Sequence, residues 1–284
     1  MLIGVNGASG KLGAAVFGEL TTRVHQHGVI ALSRTPRNGQ GPFQGRLADY
    51  DRPETLARAY DGLDRLLLIP SHDLDSAVRT RQLTAAIDAA VAASVNHIVL
   101  VSTAGIRQAP EHTFDGSYWA IEQRLMRSPA SWTILRMNYY AENMAEEMRP
   151  ALAGGVLRGL GAERVAYVSR DDMAAALATI LLGDSHAGAV YHATGPQVVS
   201  GEERARLASD VAGRSVRFEV ATQRQLREDY ARMGLPDPVA EAIVGLKSKF
   251  LSGEFDVVTG DVARLAGRPA KTFREILAAT HAAA

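Results

Sequence analysis

The first 136 residues alternate short apolar runs with longer segments in which apolar residues recur every three or four positions. The short runs are rich in Val, Ile and Leu and predict strands, whereas the recurring spacing predicts amphipathic helices. The predicted strands are 2–6, 29–33, 65–70, 97–102 and 132–136. The predicted helices are 11–23, 53–60, 76–93 and 118–127. This alternation is typical of βαβ units, which place their strands parallel in one sheet.

Two of these strands contain unbroken apolar runs, at 66–69 and 98–101. A strand that is apolar on both faces is covered by helices on both sides of its sheet. We therefore predict an α/β fold with a Rossmann-type, doubly wound parallel sheet. After residue 136 the alternation gives way to mostly helical segments joined at Gly or Pro, which predicts a smaller, discontinuous substrate domain.

The domain boundary is predicted near residue 150. Residues 1–150 are expected to bind the nucleotide, and residues 151–284 to form mainly the substrate domain, with about 165–195 packing back on the first domain. Within the second range, helices are predicted near 171–182, 201–212, 222–233 and 239–251, and strands at 190–193 and 216–220.

A glycine-rich turn separates the first predicted strand from the first predicted helix, with the spacing G-x-x-G-x-x-G. Such glycines permit a tight turn, bring backbone N–H groups close to a diphosphate at the helix N-terminus, and let helix and strand pack closely. A purely structural turn is the alternative. Because the turn follows the first strand of a βαβ series, we predict a dinucleotide site. Its residues are Gly7, Ser9, Gly10, Lys11, Leu12 and Gly13.

The residues after the second predicted strand indicate which dinucleotide is bound. An NAD site usually has an acidic residue there for the ribose 2′-hydroxyl, whereas an NADP site has arginine facing the 2′-phosphate. This chain has Ser33, Arg34 and Arg37 there, and no Asp or Glu between Glu19 and Asp49. We therefore predict NADP(H), preferred over NAD(H). The alternative is that both arginines are ordinary solvated side chains.

Composition excludes several other classes of function. The 284 residues contain no cysteine, so disulfides, thiolate metal sites and cysteine nucleophiles are absent. Lys plus Arg balance Asp plus Glu at 31 each, which leaves no basic footprint for nucleic acid or an anionic membrane. Without a signal-peptide pattern, a membrane-length apolar stretch or metal-ligand spacing of histidines, we expect a cytoplasmic protein with no metal. Monomer and homodimer both stay open.

Several segments together resemble one family. The glycine turn, Asp49 before the second predicted helix, and the segments 98–102 and 135–143 resemble the NmrA-like atypical short-chain dehydrogenases/reductases. The match continues through 168–174, 191–196 and 265–269, and its nearest character is that of bacterial NADPH:quinone oxidoreductases and triphenylmethane reductases. The resemblance implies that Asn138, Tyr139, Tyr140 and Asn143 line the substrate cleft and the nicotinamide side.

Three further residues end or follow predicted strands at their carboxyl ends, where open α/β sheets bind ligands. Ser71, Ser102 and Thr103 are expected along the diphosphate and ribose of the cofactor, mainly through main-chain contacts. Asp49 is expected either at the adenine edge or in the turn before the next helix.

Tyr118 is the candidate for the catalytic tyrosine of short-chain dehydrogenases. Those enzymes use Tyr-x-x-x-Lys, in which the lysine lowers the phenol pKa. Here Glu122 occupies the lysine position beside the cofactor, and a carboxylate there is expected to raise the phenol pKa. Because no lysine lies between Lys11 and Lys247, no neighbour in sequence replaces it. Tyr118 is expected to shape the pocket or donate a hydrogen bond to the acceptor, unless it only packs beneath the ribose.

The absence of this lysine restricts the kinds of acceptor that the protein is expected to reduce. A quinone, or a cationic or polarised conjugated acceptor, takes a hydride first and is protonated later from water. We therefore predict an NAD(P)H-dependent oxidoreductase that transfers hydride directly to a small aromatic or conjugated acceptor. The alternatives are a redox sensor that binds NADP(H) without turnover, as some NmrA-like proteins do, and a reductase of a double bond or imine in a specialised metabolite.

Overall fold

The computed structural model describes residues 1–23, 28–36 and 44–283. Strands and helices alternate through its first part. They are β1 (Leu2–Asn6), α1 (Lys11–Arg23), β2 (Gly28–Ser33), β3 (Gln44–Leu47), α2 (Glu54–Tyr60), β4 (Arg65–Leu68), α3 (Ser76–Ala92), β5 (His97–Thr103), α4 (Phe114–Met126) and β6 (Ser131–Met137).

Helices predominate in the remainder, with short strands between them. The elements are α5 (Ala141–Glu147), α6 (Arg149–Gly154), β7 (Val156–Gly159), β8 (Arg164–Val165), α7 (Arg170–Leu182), β9 (Ala189–Ala193), β10 (Val199–Ser200), α8 (Gly201–Ala212), β11 (Arg217–Val220), α9 (Gln223–Arg232), α10 (Asp237–Leu251), α11 (Asp261–Ala266) and α12 (Phe273–Ala282). None of the described helices combines the length and apolar composition that crossing a membrane requires.

Seven strands form one sheet in the order β3-β2-β1-β4-β5-β6-β9. The pairs from β3 through β6 are all parallel. β5 is buried along its whole length, as its unbroken apolar run predicts. The strand order reverses between β1 and β4, which makes the sheet doubly wound and confirms the predicted Rossmann-type fold.

Two elements of the first part differ from the sequence prediction. β3 is not predicted, because Gln44–Leu47 lacks an apolar alternation and becomes a strand only by pairing with β2 at the sheet edge. α4 begins at Phe114 rather than at residue 118, because the Thr113 hydroxyl caps it by accepting the Gly116 N–H at 3.1 Å. β9 lies in the main sheet, beside β6, within the range 165–195 that is expected to pack back on the first domain.

The chain divides into two compact units. The first contains Met1–Met137, Arg170–His192 and Ala263–Gly267, and the second contains Asn138–Ser169, Ala193–Val262 and Arg268–Ala284. The first segment of the sheet unit therefore ends at Met137, whereas the boundary predicted from the sequence is at residue 150. α5 belongs to the second unit, where the Ala141 N–H donates to Val168 O at 2.9 Å.

The second unit is built mainly from helices around two small sheets. β10 pairs antiparallel with β8, and β11 pairs parallel with β7. A buried apolar cluster that includes Leu226, Tyr230 and Val244 joins α9 to α10. The predicted mostly helical character of this part of the chain is thus observed.

Candidate active site

The glycine turn between β1 and α1 is shaped by close backbone approach. Gly7 has a φ of +82°, and its N–H donates to Leu32 O at 3.1 Å. A Cβ atom at Gly13 would lie 2.2 Å from Gly7 O, so only glycine lets α1 approach the turn this closely. The first turn of α1 has no acidic residue, and both Ser9 and Lys11 are exposed. The positive end of a helix dipole thus lies beside accessible backbone, an arrangement that fits a diphosphate.

The end of β2 lies beside this turn, because β1 and β2 are parallel neighbours. Ser33 is buried, and its carbonyl accepts the Ala48 N–H at 3.0 Å. Arg34 follows as an exposed side chain. The predicted residue Arg37 lies outside the described residues. An exposed arginine at this position suits the predicted 2′-phosphate contact.

Asp49 forms a turn ahead of α2. Its N–H donates to the Thr55 hydroxyl at 3.0 Å, and its carboxylate accepts the Asp51 N–H at 3.1 Å. These bonds match the turn role that the sequence left as one of two options. Asp49 is also half-exposed, so the adenine contact stays a prediction.

Ser71 follows β4, the next strand along the sheet edge. Its hydroxyl donates to Gln82 Oε1 at 2.6 Å, and Gln82 Nε2 donates to Asp51 Oδ1 at 2.8 Å. The side chain of Ser71 therefore ties the loop after β4 to α3. Its backbone is the part left to contact a ligand, in line with the predicted main-chain contacts.

Ser102 and Thr103 end β5 at the same edge, with exposures of 1% and 3%. In the part of the chain that the structure describes, Ser102 Oγ has no hydrogen-bond partner. Buried hydroxyls are usually bonded, so an unpartnered one marks a position where a ligand or water completes the site. The tight glycine turn and this hydroxyl both fit a dinucleotide along the edge.

Tyr118 lies in α4 with its ring buried at 7% exposure. The ring packs against Phe114 at a centroid distance of 5.1 Å. The phenol oxygen has no hydrogen-bond partner among the described residues, and it keeps some exposed surface. Buried tyrosines usually bond their hydroxyl, so this one is free to donate to a ligand.

Glu122 occupies the position that lysine holds in ordinary short-chain dehydrogenases, and it is fully buried. Both of its oxygens accept from Arg136, with Nε to Oε1 at 3.0 Å and Nη2 to Oε2 at 2.6 Å. This bidentate pair neutralises the carboxylate. Burial, and not Glu122, raises the pKa of Tyr118. The expectation that Glu122 raises it is therefore wrong, because Arg136 takes up its charge.

Arg79 on α3 is a site residue that the sequence analysis does not identify. Its guanidinium carbon lies 5.1 Å from the centroid of the Tyr118 ring and 5.5 Å from that of Phe114. The positive charge of Arg79 opposes the effect of burial on the pKa of Tyr118. Its position in the helical repeat could have shown that it is buried, since Arg79 shares the buried face of α3 with Leu83 and Ala86.

The segment from Asn138 to Asn143 begins the second unit. Asn138 is 1% exposed, and its Nδ2 donates to Phe255 O at 3.0 Å while its Oδ1 accepts the Tyr139 N–H at 2.8 Å. Tyr140 directly precedes α5 and is half-exposed, and Asn143 is exposed. The amide of Asn138 thus anchors the segment, while Tyr140 and Asn143 present side chains at its surface.

The Tyr139 hydroxyl donates to Glu147, within the second unit. Glu147 also accepts from the Tyr230 hydroxyl at 3.0 Å and forms an ion pair with Lys247 at 3.0 Å. Burial and this carboxylate raise the pKa of Tyr139. Glu147 was not identified from the sequence. It engages the Tyr139 hydroxyl, while the Tyr139 ring packs edge-on against Phe250 at a centroid distance of 5.4 Å and against Tyr167 at 6.3 Å. The cleft-lining role of Tyr139 stays a prediction.

Among residues 1–23, 28–36 and 44–283, no three His, Asp or Glu side chains are grouped as ligands for a metal ion. The polar groups at the carboxyl edge of the sheet are instead hydroxyls, backbone amides and arginines. These donors suit phosphate and ribose groups.

Comparisons with known proteins agree with this geometry. A family model described as NAD(P)H-binding matches residues 7–184. The NAD(P)H azoreductase of Xenophilus azovorans is 31% identical over 256 residues, which cover 87% of this chain and 85% of that protein. The Citrobacter sp. triphenylmethane reductase complexed with NADP(H) matches with a TM-score of 0.90 and 25% identity, covering 99% of this chain and 100% of that one. The NADPH-dependent quinone oxidoreductase of Escherichia coli complexed with NADPH gives a TM-score of 0.88 and 27% identity, covering 98% and 99%.

Proposed function

Because the chain belongs to the NAD(P)H-binding family and is an NmrA-like oxidoreductase, we propose that it uses NADPH to reduce a quinone or a related conjugated aromatic acceptor by direct hydride transfer. Its similarity to an azoreductase, a triphenylmethane reductase and a quinone oxidoreductase supports this acceptor class. All three of those names denote electron-poor conjugated substrates.

The observation that carries the proposal is the Glu122–Arg136 pair. At the position where a lysine would assist proton transfer, the chain has a buried carboxylate whose oxygens both bind an arginine. A ketone or alcohol substrate needs a proton moved together with the hydride, and this pair does not supply one. Acceptors that tolerate hydride transfer ahead of protonation are favoured instead.

The residues proposed to hold the cofactor lie along one edge of the sheet. The turn from Gly7 to Gly13 would bind the diphosphate through backbone N–H groups, and Arg34 would face the 2′-phosphate. Ser33, Ser71, Ser102 and Thr103 would contact the ribose and diphosphate region, and Asp49 the adenine edge. When bound, NADPH supplies the hydride. The roles of Glu122 and Asn138 near the cofactor stay predictions.

In this proposal the protein positions the acceptor and excludes water from it. The Tyr118 hydroxyl would donate a hydrogen bond to an acceptor oxygen. The cleft-lining roles of Tyr139, Tyr140 and Asn143, in the second unit, stay predictions. Since the Tyr139 hydroxyl is bonded to Glu147, we do not assign it a hydrogen bond to the acceptor.

The test is steady oxidation of NADPH by the purified protein, followed by the loss of dihydronicotinamide absorbance. The panel contains benzoquinones, naphthoquinones, cationic triarylmethane dyes and azo dyes, each with NADPH and with NADH. We expect turnover of at least one class and a higher kcat/KM with NADPH. Tight NADPH binding without turnover of any acceptor would favour a redox sensor instead.

A further inference from the structure

A buried cation lies against the ring of Tyr118. Arg79 is 5% exposed, and its guanidinium carbon is 5.1 Å from the ring centroid, within the range of a cation–π contact. Two terminal nitrogens fix it, one donating to Asp73 O at 2.6 Å and the other to Ser117 Oγ at 3.3 Å. The guanidinium therefore has one defined position relative to the phenol.

The charge of Arg79 has no carboxylate partner among the described residues, and its Nε is buried without an acceptor there. Arg136, in β6, is by contrast paired with Glu122. A buried cation without a counter-charge costs free energy, and an apolar side chain would fill the same space without that cost. The positive charge is therefore the feature of Arg79 that needs an explanation beyond packing.

We propose that Arg79 is a positioning residue that fixes the Tyr118 ring and surrounds its free hydroxyl with positive potential, so that this hydroxyl stabilises the negative charge that develops on an acceptor oxygen. The inference rests on the proposed function. Arg79 thereby supplies, from α3, the cation that ordinary short-chain dehydrogenases place four residues after the tyrosine on the same helix.

A comparison of two acceptor classes distinguishes this electrostatic role of Arg79 from a role in packing alone. A quinone takes a hydride, which is two electrons and one proton, from NADPH and becomes a hydroquinone monoanion whose oxygen then binds a proton from water. A cationic triarylmethane dye takes the same hydride at its central carbon and becomes a neutral leuco dye without a further proton. Only the quinone reaction develops negative charge on an oxygen atom. Loss of Arg79 should therefore affect the two reactions unequally.

The experiment compares Arg79→Met with Arg79→Lys. In Arg79→Met we expect kcat for a naphthoquinone to fall about tenfold, less than the roughly 10²–10³-fold that loss of a direct donor costs, because Arg79 acts through the phenol. We expect kcat for the dye to stay within about twofold and Arg79→Lys to recover most of the quinone rate, because the charge is restored. NADPH affinity, measured by its fluorescence on binding, should not change. The matched control is Arg81→Met on the same helix, where the side chain is 68% exposed and pairs with Asp51 at 3.6 Å.

A second set of variants tests whether Arg79 acts through the phenol. Tyr118→Phe should also slow the quinone reaction selectively. Adding Arg79→Met to Tyr118→Phe should cause little further loss, because Arg79 acts through the hydroxyl that Tyr118→Phe has already removed. If Arg79→Met does not fold, Arg79→Gln keeps a donor for Asp73 O while removing the charge. Folding of each variant is verified by its circular dichroism.

Three results would overturn the inference. One is an equal loss of quinone and dye turnover in the neutral Arg79 variants, which indicates packing alone. The second is a double variant of Arg79→Met and Tyr118→Phe whose loss in quinone kcat equals the product of the two single fold losses. The third is no recovery by Arg79→Lys. Absence of turnover of every acceptor by the unmodified protein would instead contradict the proposed function, so the two failures are distinguishable.

Discussion

Gly13→Ala tests whether the glycine turn is built for a bound diphosphate. A Cβ atom at this position would meet Gly7 O at 2.2 Å, Gly7 C at 2.7 Å and Ala8 Cα at 2.8 Å. All three are backbone atoms, so no side chain can rotate away. Ordinary contact begins near 3.4 Å, which means that the turn or α1 has to move by about 1 Å. Because the moved atoms carry the proposed phosphate-binding N–H groups, the substitution should weaken both folding and binding.

The expected loss in the free energy of unfolding is about 1–3 kcal/mol, the usual cost of forcing a methyl group into a packed site. We expect the Kd for NADPH to rise at least about tenfold, which corresponds to ~1.4 kcal/mol. Urea denaturation followed by circular dichroism measures the first quantity, and titration of NADPH fluorescence measures the second.

Gly18→Ala is the matched control on the same helix. Gly18 is exposed in the middle of α1, and a Cβ atom there meets nothing within 4 Å. Alanine should therefore stabilise the protein by about 0.5–1 kcal/mol, through helix propensity alone, and leave NADPH affinity unchanged. If Gly13→Ala gave the same stability and the same NADPH affinity as Gly18→Ala, the close-approach argument for the turn would be refuted.

Three further predictions concern other parts of the first unit. Arg34→Glu should raise the Kd for NADPH about 10- to 100-fold and change the Kd for NADH little, as measured by fluorescence titration. The control Arg58→Glu, on the exposed surface of α2, should change neither Kd. An unaltered NADPH affinity in Arg34→Glu would contradict the 2′-phosphate contact. Burial lowers the pKa of His97 from 6.5 to about 4, so below pH 6.5 the unfolded chain binds a proton that the folded chain does not, and the free energy of unfolding should fall by up to about 3 kcal/mol by pH 4. Urea denaturation over this pH range should show a shallower fall in His97→Gln, and an identical slope would refute the assignment. Glu122→Leu should cost about 3 kcal/mol by leaving Arg136 unpaired, the low end for a broken buried pair because the Arg136 side chain is 22% exposed. Adding Arg136→Met should recover most of this loss, and a simple sum of the two losses would show that the ion pair is not coupled.

Much of the fold is readable from local patterns. The first five predicted strands and the first three predicted helices begin and end within two residues of the observed elements. Unbroken apolar runs predict buried strands because burial on both faces removes the polar positions. The glycine spacing likewise predicts the turn, since backbone conformation and close approach constrain residue type at single positions.

The cap of α4 and the edge strand β3 are less visible. Thr113 determines where α4 begins through one side-chain hydrogen bond, and the sequence around it contains no strong apolar period. β3 depends on its neighbour β2 for its hydrogen bonds, so its own four residues carry little signal. In both cases a contact outside the local apolar pattern decides the element.

The sequence alone determined the doubly wound sheet, the glycine turn, the arginine after β2 and the absence of a lysine four residues after Tyr118. Only the tertiary structure decided where the compensating charges lie. It pairs Glu122 with Arg136 from β6 and places Arg79 from α3 against the Tyr118 ring. The physical reason is that periodicity reports whether a residue is buried, whereas an electrostatic partner is fixed by which distant elements pack together.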